Sequence, residues 1–230
     1  MADFTLFYWP LPFRGQFIRA VLAHAGVDWD EPDADAVSDM MSRDPADQPV
    51  PFMAPPMLTE AGGLAVAQMP SILFHLGRRF DLMPADPQRA ALTTKVVNDA
   101  NDVLDEITLN GGQKMWTDDT WAEYRPRLQR WMMIWEDTAR RHGDDDLMLG
   151  GEAPGLADLT TAVLWFTMAD KLPVLDGLLR DAAPRVHAMS HRLMDSPALR
   201  RMRQDTDARF GDSYCGGKIE KSLRAVLRSG

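Results

Sequence analysis

The sequence changes character at DLMPADPQ, residues 81–88, and this change limits the folds that the chain can adopt. Before it, short β-prone runs alternate with stretches of helical periodicity. After it, apolar residues recur only at helical spacing. The segment itself holds two prolines and two aspartates, a composition typical of a linker. We therefore predict an α/β domain over residues 1–80, a linker over 81–88 and an all-helical domain over 89–230.

The first domain opens with a strand that two prolines must end. The run FTLFY, residues 4–8, is almost entirely β-prone and predicts a buried strand. Pro10 and Pro12 lack the N–H that a sheet needs, so the strand stops before them. An amphipathic helix follows over roughly residues 15–25. Tyr8 is thus predicted at a strand end beside a helix N-terminus, where its hydroxyl can point into a cleft.

The rest of the first domain predicts one more strand, a hairpin and a second well-packed helix. Residues 27–31, VDWDE, form the strand, whereas the acidic, proline-punctuated stretch 33–49 forms at best a short, poorly packed helix. Residues 57–59 and 64–67 flank a Glu-Ala-Gly-Gly turn and predict the hairpin. The helix covers MPSILFHLGRRF, residues 69–80. The order is therefore βαβ followed by ββα.

Three long helices are predicted in the second domain. Two of them have apolar faces, over residues 97–107 and 124–135. The third begins near Gly155 and is apolar almost all round, which predicts the central helix of this half. Asp158 lies near its start, where a carboxylate can accept hydrogen bonds from free N–H groups. The mixed tail after Asp207 is expected at the surface.

The composition excludes several classes of function. A formal net charge of −9 argues against nucleic acid as the main partner, because phosphate binding needs a basic surface. No apolar run approaches membrane-spanning length, so no membrane partner is expected. Cys215 is the only cysteine, which rules out an intrachain disulfide and any Cys-x-x-Cys redox pair. A cytoplasmic location is the default expectation.

Several short motifs, in the right order, resemble those of the cytosolic glutathione transferases over residues 4 to about 206. FTLFYWPLPFRGQFIR is similar to the opening of the tyrosine-type classes (sigma, pi, mu and alpha), which runs strand, Tyr, Phe, Arg-Gly. PFMAPPML resembles Pro-Phe-Gly-Gln-Leu-Pro-Val-Leu, and QMPSILFHLG resembles Gln-Ser-x-x-Ile-x-x-x-Leu. GEAPGLADLTTAVL and PRVHAMSHRLMDSPALRRM resemble two later motifs. The resemblance implies a thioredoxin-like domain followed by an all-α domain.

The resemblance implies an enzyme that activates the thiol of glutathione for attack on a small hydrophobic electrophile, by conjugation or thiolytic cleavage. A free thiol has a pKa near 8.5, and only the thiolate is a good nucleophile. Tyr8 would donate a hydrogen bond that favours the thiolate. Arg14 would add positive charge near the sulfur, although a nearby carboxylate that simply holds this arginine is an equal alternative. Glutathione would be the co-substrate, and no metal is expected.

The resemblance also implies the residues that would bind both substrates. The glutathione positions are Pro55, Pro56, Gln68, Met69 and Asp102, and the electrophile pocket would be lined by Trp9, Pro10, Met115 and Trp116. Pro56 matches a proline whose peptide bond is cis in the family, and Gln68 matches a glutamine that binds the γ-glutamyl end. Asp102 would reach the neighbouring subunit's site, which implies a homodimer. Asp99 and Asp105 are alternatives at that position, and the simpler interpretation of these aspartates is a solvated helix face. The simpler interpretation of Met115 and Trp116 is that they belong to the core.

Three departures from the family pattern fall within the glutathione site. Pro55 has no N–H for the cysteinyl backbone of glutathione. Ala54 stands where a glutamine is usual, and Met69 where a serine is usual. Each lost hydrogen bond to a charged group costs about 1.5–3 kcal/mol. These departures favour a second interpretation, a non-catalytic binding protein that keeps the fold. A thiol-disulfide oxidoreductase is disfavoured, because the strand end carries Tyr8 and not cysteine.

Three weaker signals remain outside this scheme. His187 and His191 are four residues apart on a predicted helix, a spacing that can hold a metal, but the sequence shows no recognisable third ligand. Asp144–Asp146 lacks the alternation of a calcium loop and is expected to be a solvated loop. Cys215 lies in a polar stretch and is expected to be an incidental exposed thiol, although a tail cysteine can reach the cleft.

Overall fold

The computed structural model describes residues 2–144 and 146–229, and its first part contains a small mixed sheet. The described strands are β1 (Phe4–Phe7), β2 (Trp29–Asp30), β3 (Met57–Glu60) and β4 (Ala65–Ala67). Their order in the sheet is β2-β1-β3-β4, with β1 and β2 parallel and the other two pairs antiparallel. The predicted βαβ and ββα units therefore share one sheet, and the predicted α/β part of the fold is confirmed.

Strand β1 lies in the interior of the sheet and ends one residue before Tyr8. Leu6 pairs with Leu58 of β3, and both side chains are buried. A tight turn follows, in which the N–H of Leu11 donates to the carbonyl of Trp9 at 2.8 Å. The prolines at positions 10 and 12 lie in or beside this turn, as predicted from their missing N–H groups.

Helices α1 (Arg14–His24) and α3 (Met69–Arg79) pack against each other beside the sheet. Ile18 and Leu22 of α1 and Ile72 of α3 are completely buried. Because these residues recur at helical spacing, the sequence predicted both helices with nearly correct ends.

Helix α2 (Ala34–Ser42) is capped and complete, but it is short and buries only two of its residues, which confirms the expectation of a short, poorly packed helix. The Asp33 carboxylate accepts a hydrogen bond from the N–H of Ala36 at 2.9 Å and caps the helix N-terminus. Val37 and Met40, three residues apart, are both buried. The other residues of this helix are partly or fully exposed.

The predicted hairpin is confirmed, with its second strand one residue shorter than expected. A short 3-10 helix (Pro45–Asp47) and an irregular segment with several bends lead into it. Residues 57–60 and 65–67 form the two strands, and the exposed Leu64 belongs to the turn. The N–H of Glu60 donates to the Leu64 carbonyl at 2.8 Å and closes that turn.

Every described element after residue 80 is helical. The helices are α4 (Pro87–Ile107), α5 (Leu109–Gly112), α6 (Asp118–His142), α7 (Leu156–Lys171), α8 (Val174–Ala182), α9 (Pro184–Met194), α10 (Pro197–Phe210) and α11 (Gly217–Ser229). The predicted apolar faces of α4 and α6 are confirmed, since residues such as Val97, Leu104, Leu128 and Trp135 are buried. None of the helices in the described part of the chain is long and apolar enough to cross a membrane.

Helix α7 is the central helix of the second half, as predicted from its apolar residues on almost every side. Nearly all its residues are buried, and it contacts α1, α4, α8 and α9. Asp158 caps it, because one carboxylate oxygen accepts from the N–H of Gly155 at 2.8 Å and the other from the N–H of Met148. The predicted capping role of Asp158 is therefore confirmed.

The chain after residue 207 is not a loose surface tail, so this expectation was wrong. Residues 217–229 form α11, whose Ile219, Leu223 and Val226 are buried at helical spacing. Tyr214, just before the helix, is 1% exposed. The tail is therefore an integral part of the core.

The two halves are joined by buried polar contacts as well as by apolar packing. The Gln16 side-chain amide of α1 donates to the Thr206 hydroxyl of α10 at 3.2 Å. Nearby, Arg19 and Glu31 form a two-pronged salt bridge with distances of 2.9 and 2.8 Å. The Arg209 guanidinium of α10 approaches the same carboxylate at 3.4 Å. These contacts fix the position of α10 against the first half of the protein.

Candidate active site

Tyr8 lies just beyond β1, with its hydroxyl at the N-terminus of α1. The backbone N–H of Arg14 donates to the Tyr8 oxygen at 2.8 Å. The ring is only 4% exposed, and the Arg19 guanidinium lies 5.8 Å from its centre. The predicted position at a strand end beside a helix N-terminus is therefore confirmed.

The environment of Tyr8 keeps its hydroxyl protonated at neutral pH. Burial raises the pKa of Tyr8 to about 12, although the Arg14 charge and N–H, the Arg19 charge and the Gly15 N–H act in the opposite direction. A neutral phenol that already accepts from a backbone N–H still has one proton to donate. The hydroxyl is therefore suited to donate a hydrogen bond to a negatively charged atom.

Gly15 is required beside this tyrosine. A Cβ atom at position 15 would lie 2.3 Å from Cδ1 and 2.7 Å from Cγ of the Tyr8 ring. Cγ and Cδ1 are close to the Tyr8 backbone and cannot turn aside as the end of a flexible side chain can. The whole ring would therefore have to move. The absence of a side chain at Gly15 lets the Tyr8 ring lie directly against the first turn of α1.

Arg14 connects the candidate site to helix α4. Its Nε donates to Oδ1 of Asn101 at 3.3 Å, and its Nη2 lies 3.4 Å from Oδ1 of Asp105. The guanidinium also lies 5.1 Å from the centre of the Phe13 ring. Arg14 therefore places a cation near the Tyr8 hydroxyl, while Asp105 offsets part of its charge.

The glutathione-type motif around Pro56 and Gln68 forms a local unit in the structure. The peptide bond between Pro55 and Pro56 is cis, as the resemblance implied. The N–H of Gln68 donates to the carbonyl of Pro56 at 3.1 Å. Gln68 has φ +74°, a conformation that residues other than glycine seldom adopt, and its side chain is exposed directly before α3. Its amide is thus available to a ligand.

The departures from the family motif have visible structural consequences. Pro55 is buried and offers no N–H, while Ala54 is exposed and offers no polar side chain. The Met69 side chain is completely buried, so only its backbone is available to a ligand. Pro70 in the first turn of α3 has no N–H, so the backbone N–H groups of Met69 and Ser71 and the exposed Ser71 hydroxyl are the polar groups that this turn offers.

The three aspartates proposed for the γ-glutamyl amine have different surroundings. Asp105 faces Arg14 within the same chain, and Asp99 pairs with Lys95 one helical turn away. Asp102 is exposed. Partial burial, followed by the negative charges of the neighbouring acidic residues, raises the pKa of Asp102. Of the three, Asp102 is the carboxylate left available to a second molecule.

The residues proposed for the electrophile pocket differ in how far they are exposed. Trp9 is half-buried beside the Tyr8 turn, and Pro10 is exposed. Trp116 is buried, donates from Nε1 to the Ile107 carbonyl at 3.0 Å and packs against other aromatic rings. Met115 is 38% exposed. Trp116 thus contributes to the core, while the other three remain accessible.

Tyr214 is a candidate site residue that sequence reasoning missed. Its ring packs edge-on against Phe13 with centres 5.4 Å apart, beside the turn that connects Tyr8 to α1. Among the described residues its buried hydroxyl has no hydrogen-bond partner. Burial raises the pKa of Tyr214 well above its ordinary value. Because the contact spans about two hundred residues, no local sequence pattern indicates it.

Glu220 holds this part of the tail in place. Its Oε2 accepts from the N–H groups of Tyr214 at 3.0 Å and Cys215 at 2.9 Å, and also from Gly216. Burial raises the pKa of Glu220, but these N–H groups and Arg224 outweigh it and the net effect is a lowered value. Cys215 is half-buried and its pKa is raised to about 12 by burial, so the expectation of an exposed thiol was wrong.

A family model described as the glutathione S-transferase C-terminal domain matches residues 92–226. The chain belongs to the glutathione S-transferase family. The match runs from within α4 to within α11 and includes the tail residue Tyr214, which packs against Phe13. A comparison with curated protein sequences returned no match.

Solved structures of glutathione S-transferases share the fold of this protein. NaGST-2 is 21% identical with a TM-score of 0.72, over 89% of this chain and 97% of that one. Monomeric Na-GST-3, from the human hookworm parasite Necator americanus, is 19% identical with a TM-score of 0.72, over 88% and 97%. The Pi-class enzyme of Onchocerca volvulus is 18% identical with a TM-score of 0.74, over 94% and 98%. At these identities the likeness establishes the fold.

Proposed function

We propose that this glutathione S-transferase family member is an active transferase that uses Tyr8 to stabilise the thiolate of glutathione. The observation that carries the proposal is the hydrogen bond from the Arg14 N–H to the Tyr8 oxygen. It fixes the phenol at the positive end of α1 and leaves its proton free to donate. A raised Tyr8 pKa keeps that proton in place near neutral pH.

The chemistry follows from the charge that develops on sulfur. The thiol of glutathione loses its proton to solvent, and the Tyr8 hydroxyl donates a hydrogen bond to the resulting thiolate. The Arg14 guanidinium and the N-terminus of α1 stabilise the same negative charge. The sulfur then attacks the electrophilic atom of a small hydrophobic substrate and displaces its leaving group, or adds to it. Trp9, Pro10 and Met115 would line that substrate's side of the cleft.

Glutathione would be held mainly by contacts that remain after the departures from the family motif. The exposed Gln68 side chain and the first-turn N–H groups of α3 suit the γ-glutamyl carboxylate. The exposed Asp102 suits the γ-glutamyl amine of glutathione on a partner subunit, in a homodimer. Because Pro55 and Met69 supply fewer hydrogen bonds than the usual residues, we expect affinity in the micromolar to low-millimolar range.

The second candidate function is a non-catalytic binding protein with the same fold. The buried side chain of Met69 and the missing N–H of Pro55 favour it, since both lie where glutathione would be bound. The intact arrangement of Tyr8, Arg14 and Gln68 favours the enzyme. The two candidates differ in whether glutathione binds and reacts.

Calorimetric titration with reduced glutathione near neutral pH separates these candidates. Saturable binding, together with conjugation of an activated aryl chloride, supports the transferase. If no binding heat develops up to several millimolar glutathione and no conjugate forms, the transferase proposal is wrong and the binding-protein candidate stands. Analytical ultracentrifugation of the wild type tests the homodimer. Calorimetric titration of Asp102→Asn with glutathione tests whether this carboxylate contributes to a partner's site. A mass of one chain, or unchanged glutathione affinity in the variant, contradicts the role of Asp102 in a partner's site.

A further inference from the structure

Two histidines and an aspartate converge on the surface of the helical half, away from the candidate active site. His187 and His191 lie on α9, and Asp176 lies in the first turn of α8. The ligand atoms that the three side chains can offer lie within 4.8 Å of one another. Oδ1 of Asp176 is 2.9 Å from Nε2 of His187 and 3.5 Å from Nε2 of His191.

The local fold explains why these side chains meet. His187 and His191 are four residues apart and so occupy the same face of α9, where their ring centres are 4.2 Å apart. The chain reverses direction between α8 and α9 at Ala183, which brings Asp176 opposite that face. The sequence showed the histidine pair without a third ligand, and Asp176 of α8, which the chain reversal brings alongside α9, supplies it.

One polar atom of this arrangement makes no regular hydrogen bond within the described part of the chain. Nε2 of His191 is buried, yet among the described residues it makes no hydrogen bond, because its geometry toward Asp176 does not permit one. The Phe166 ring packs edge-on against the His191 imidazole at 4.9 Å and helps to fix its orientation. A buried polar atom without a hydrogen bond needs an explanation, and an ion held between this nitrogen and the Asp176 carboxylate would supply one.

We propose that Asp176, His187 and His191 bind a zinc ion that joins α8 to α9. Zinc takes histidine nitrogens and carboxylate oxygens at about 2.0–2.2 Å in tetrahedral geometry, which places neighbouring ligand atoms about 3.3 Å apart. The two distances to Asp176 Oδ1, 2.9 and 3.5 Å, lie on either side of that value. Three protein ligands leave a fourth position for water.

The surroundings allow an ion to enter and help to orient the carboxylate. The side chains of Asp176 and His191 are 30% and 43% exposed, so the site lies at the surface even though Nε2 of His191 faces inward. Nη2 of Arg180 lies 2.7 Å from the other oxygen of Asp176 and fixes that carboxylate with Oδ1 turned toward the histidines. Such a partner behind a ligating carboxylate is the usual second layer of a metal site.

The test is titration of the tag-free protein with Zn²⁺ by calorimetry and with Co²⁺ by visible absorption. We expect one ion per chain, a micromolar or tighter dissociation constant, and the intense visible bands of tetrahedral Co²⁺. Asp176→Asn and His191→Ala should each weaken Zn²⁺ binding by at least about tenfold. Zinc should also raise the melting temperature of the wild type but not of either variant.

The matched control is His75→Ala. His75 pairs with Glu60 at 2.6 Å, the same kind of histidine–carboxylate contact, and its loss should leave Zn²⁺ affinity unchanged. Absence of saturable Zn²⁺ binding by the wild type overturns the proposal. Equal affinity in the wild type and in Asp176→Asn also overturns it, and this isosteric variant remains informative should the histidine variant fold poorly.

Discussion

The backbone N–H of Arg14 donates a 2.8 Å hydrogen bond to the hydroxyl of Tyr8, and this contact joins the end of β1 to the first residue of α1. The bond serves two purposes. It satisfies one of the N–H groups that a helix N-terminus leaves free. It also fixes the oxygen whose proton the proposed chemistry uses, at the positive end of the helix dipole.

Tyr8→Phe should lower the rate of thiol conjugation while leaving glutathione affinity nearly unchanged. A hydrogen bond to a charged atom contributes about 1.5–3 kcal/mol, which corresponds to a rate loss of roughly tenfold to a hundredfold. The thiol pKa in the complex should rise, so the pH profile of kcat/KM should move to higher pH. Tyr124→Phe is the control, since the Tyr124 hydroxyl has no partner among the described residues. Equal losses in both variants would contradict a specific role for Tyr8.

The tyrosines of the folded protein should ionise only at unusually high pH. All three tyrosines are buried, and burial raises the pKa of Tyr8 to about 12 and those of Tyr124 and Tyr214 above their usual value. Below pH 10 the folded and unfolded chains hold these protons equally. Between pH 10 and 12 only the unfolded chain releases them, so the free energy of unfolding falls as pH rises, by roughly 3 kcal/mol for Tyr8 alone.

Ultraviolet absorption of tyrosinate, followed together with circular dichroism, measures this behaviour. The absorbance should remain low up to about pH 10.5 and then rise together with loss of structure. An absorbance rise near pH 10 in protein that is still folded would show that at least one tyrosine is accessible to solvent.

Gly15→Ala should damage both stability and activity, because the new methyl group would lie 2.3 Å from the Tyr8 ring. Overpacking of this kind costs typically 1–3 kcal/mol, and displacement of the ring should reduce conjugation at least tenfold. Gly177→Ala on α8 is the matched control, since nothing lies within 4 Å of the Cβ that it would add. That control should be neutral or stabilising by up to about 1 kcal/mol in chemical denaturation. Similar behaviour of the two variants would contradict the close approach.

The sequence predicted the parts of the fold that depend on local patterns. The β1–α1 unit was predicted because apolar alternation, two prolines and helical periodicity follow one another within the first 25 residues. Helix α7 was predicted because it is apolar on all sides. The position of Tyr8 followed from these local elements. Its hydrogen bond to the Arg14 N–H needed the three-dimensional turn.

The errors came from a pattern that was overlooked and from contacts between distant residues. Ile219, Leu223 and Val226 have helical spacing and would have predicted α11, but the many charged residues between them obscured it. No such signal exists for Tyr214 beside Phe13 or for Asp176 beside His187, because those contacts depend on how whole helices pack.

Glu220→Gln should loosen the tail around Cys215. The carboxylate accepts from three consecutive backbone N–H groups and pairs with Arg224, and a neutral amide cannot accept as strongly. The rate of Cys215 modification by a thiol reagent should therefore rise several-fold, with a stability loss of about 1–3 kcal/mol. The exposed Glu123→Gln provides the control. Unchanged reactivity of Cys215 in the Glu220 variant would mean that other contacts hold the tail.

Glu31→Gln should strongly destabilise the protein, because it leaves the buried guanidinium of Arg19 without its counter-charge. The side chains of Arg19 and Glu31 are only 2% and 5% exposed, and loss of one partner of a buried pair costs about 3–5 kcal/mol. Asp39→Asn, in the exposed pair with Arg43, should change stability by less than about 1 kcal/mol. Urea denaturation at neutral pH measures both effects.

The same variant predicts a dependence on pH. Burial raises the pKa of Glu31, but hydrogen bonds from Arg19 and Trp29 and the charges of Arg19 and Arg209 outweigh it, so the folded value is lower than the unfolded value of 4.5. The stabilisation is therefore complete above that unfolded value and is lost as pH falls through the lower folded value. The difference in unfolding free energy between wild type and Glu31→Gln should shrink as the solution is acidified below pH 4.5. A difference that stays constant with acidification would show that the ionised carboxylate is not what stabilises this junction.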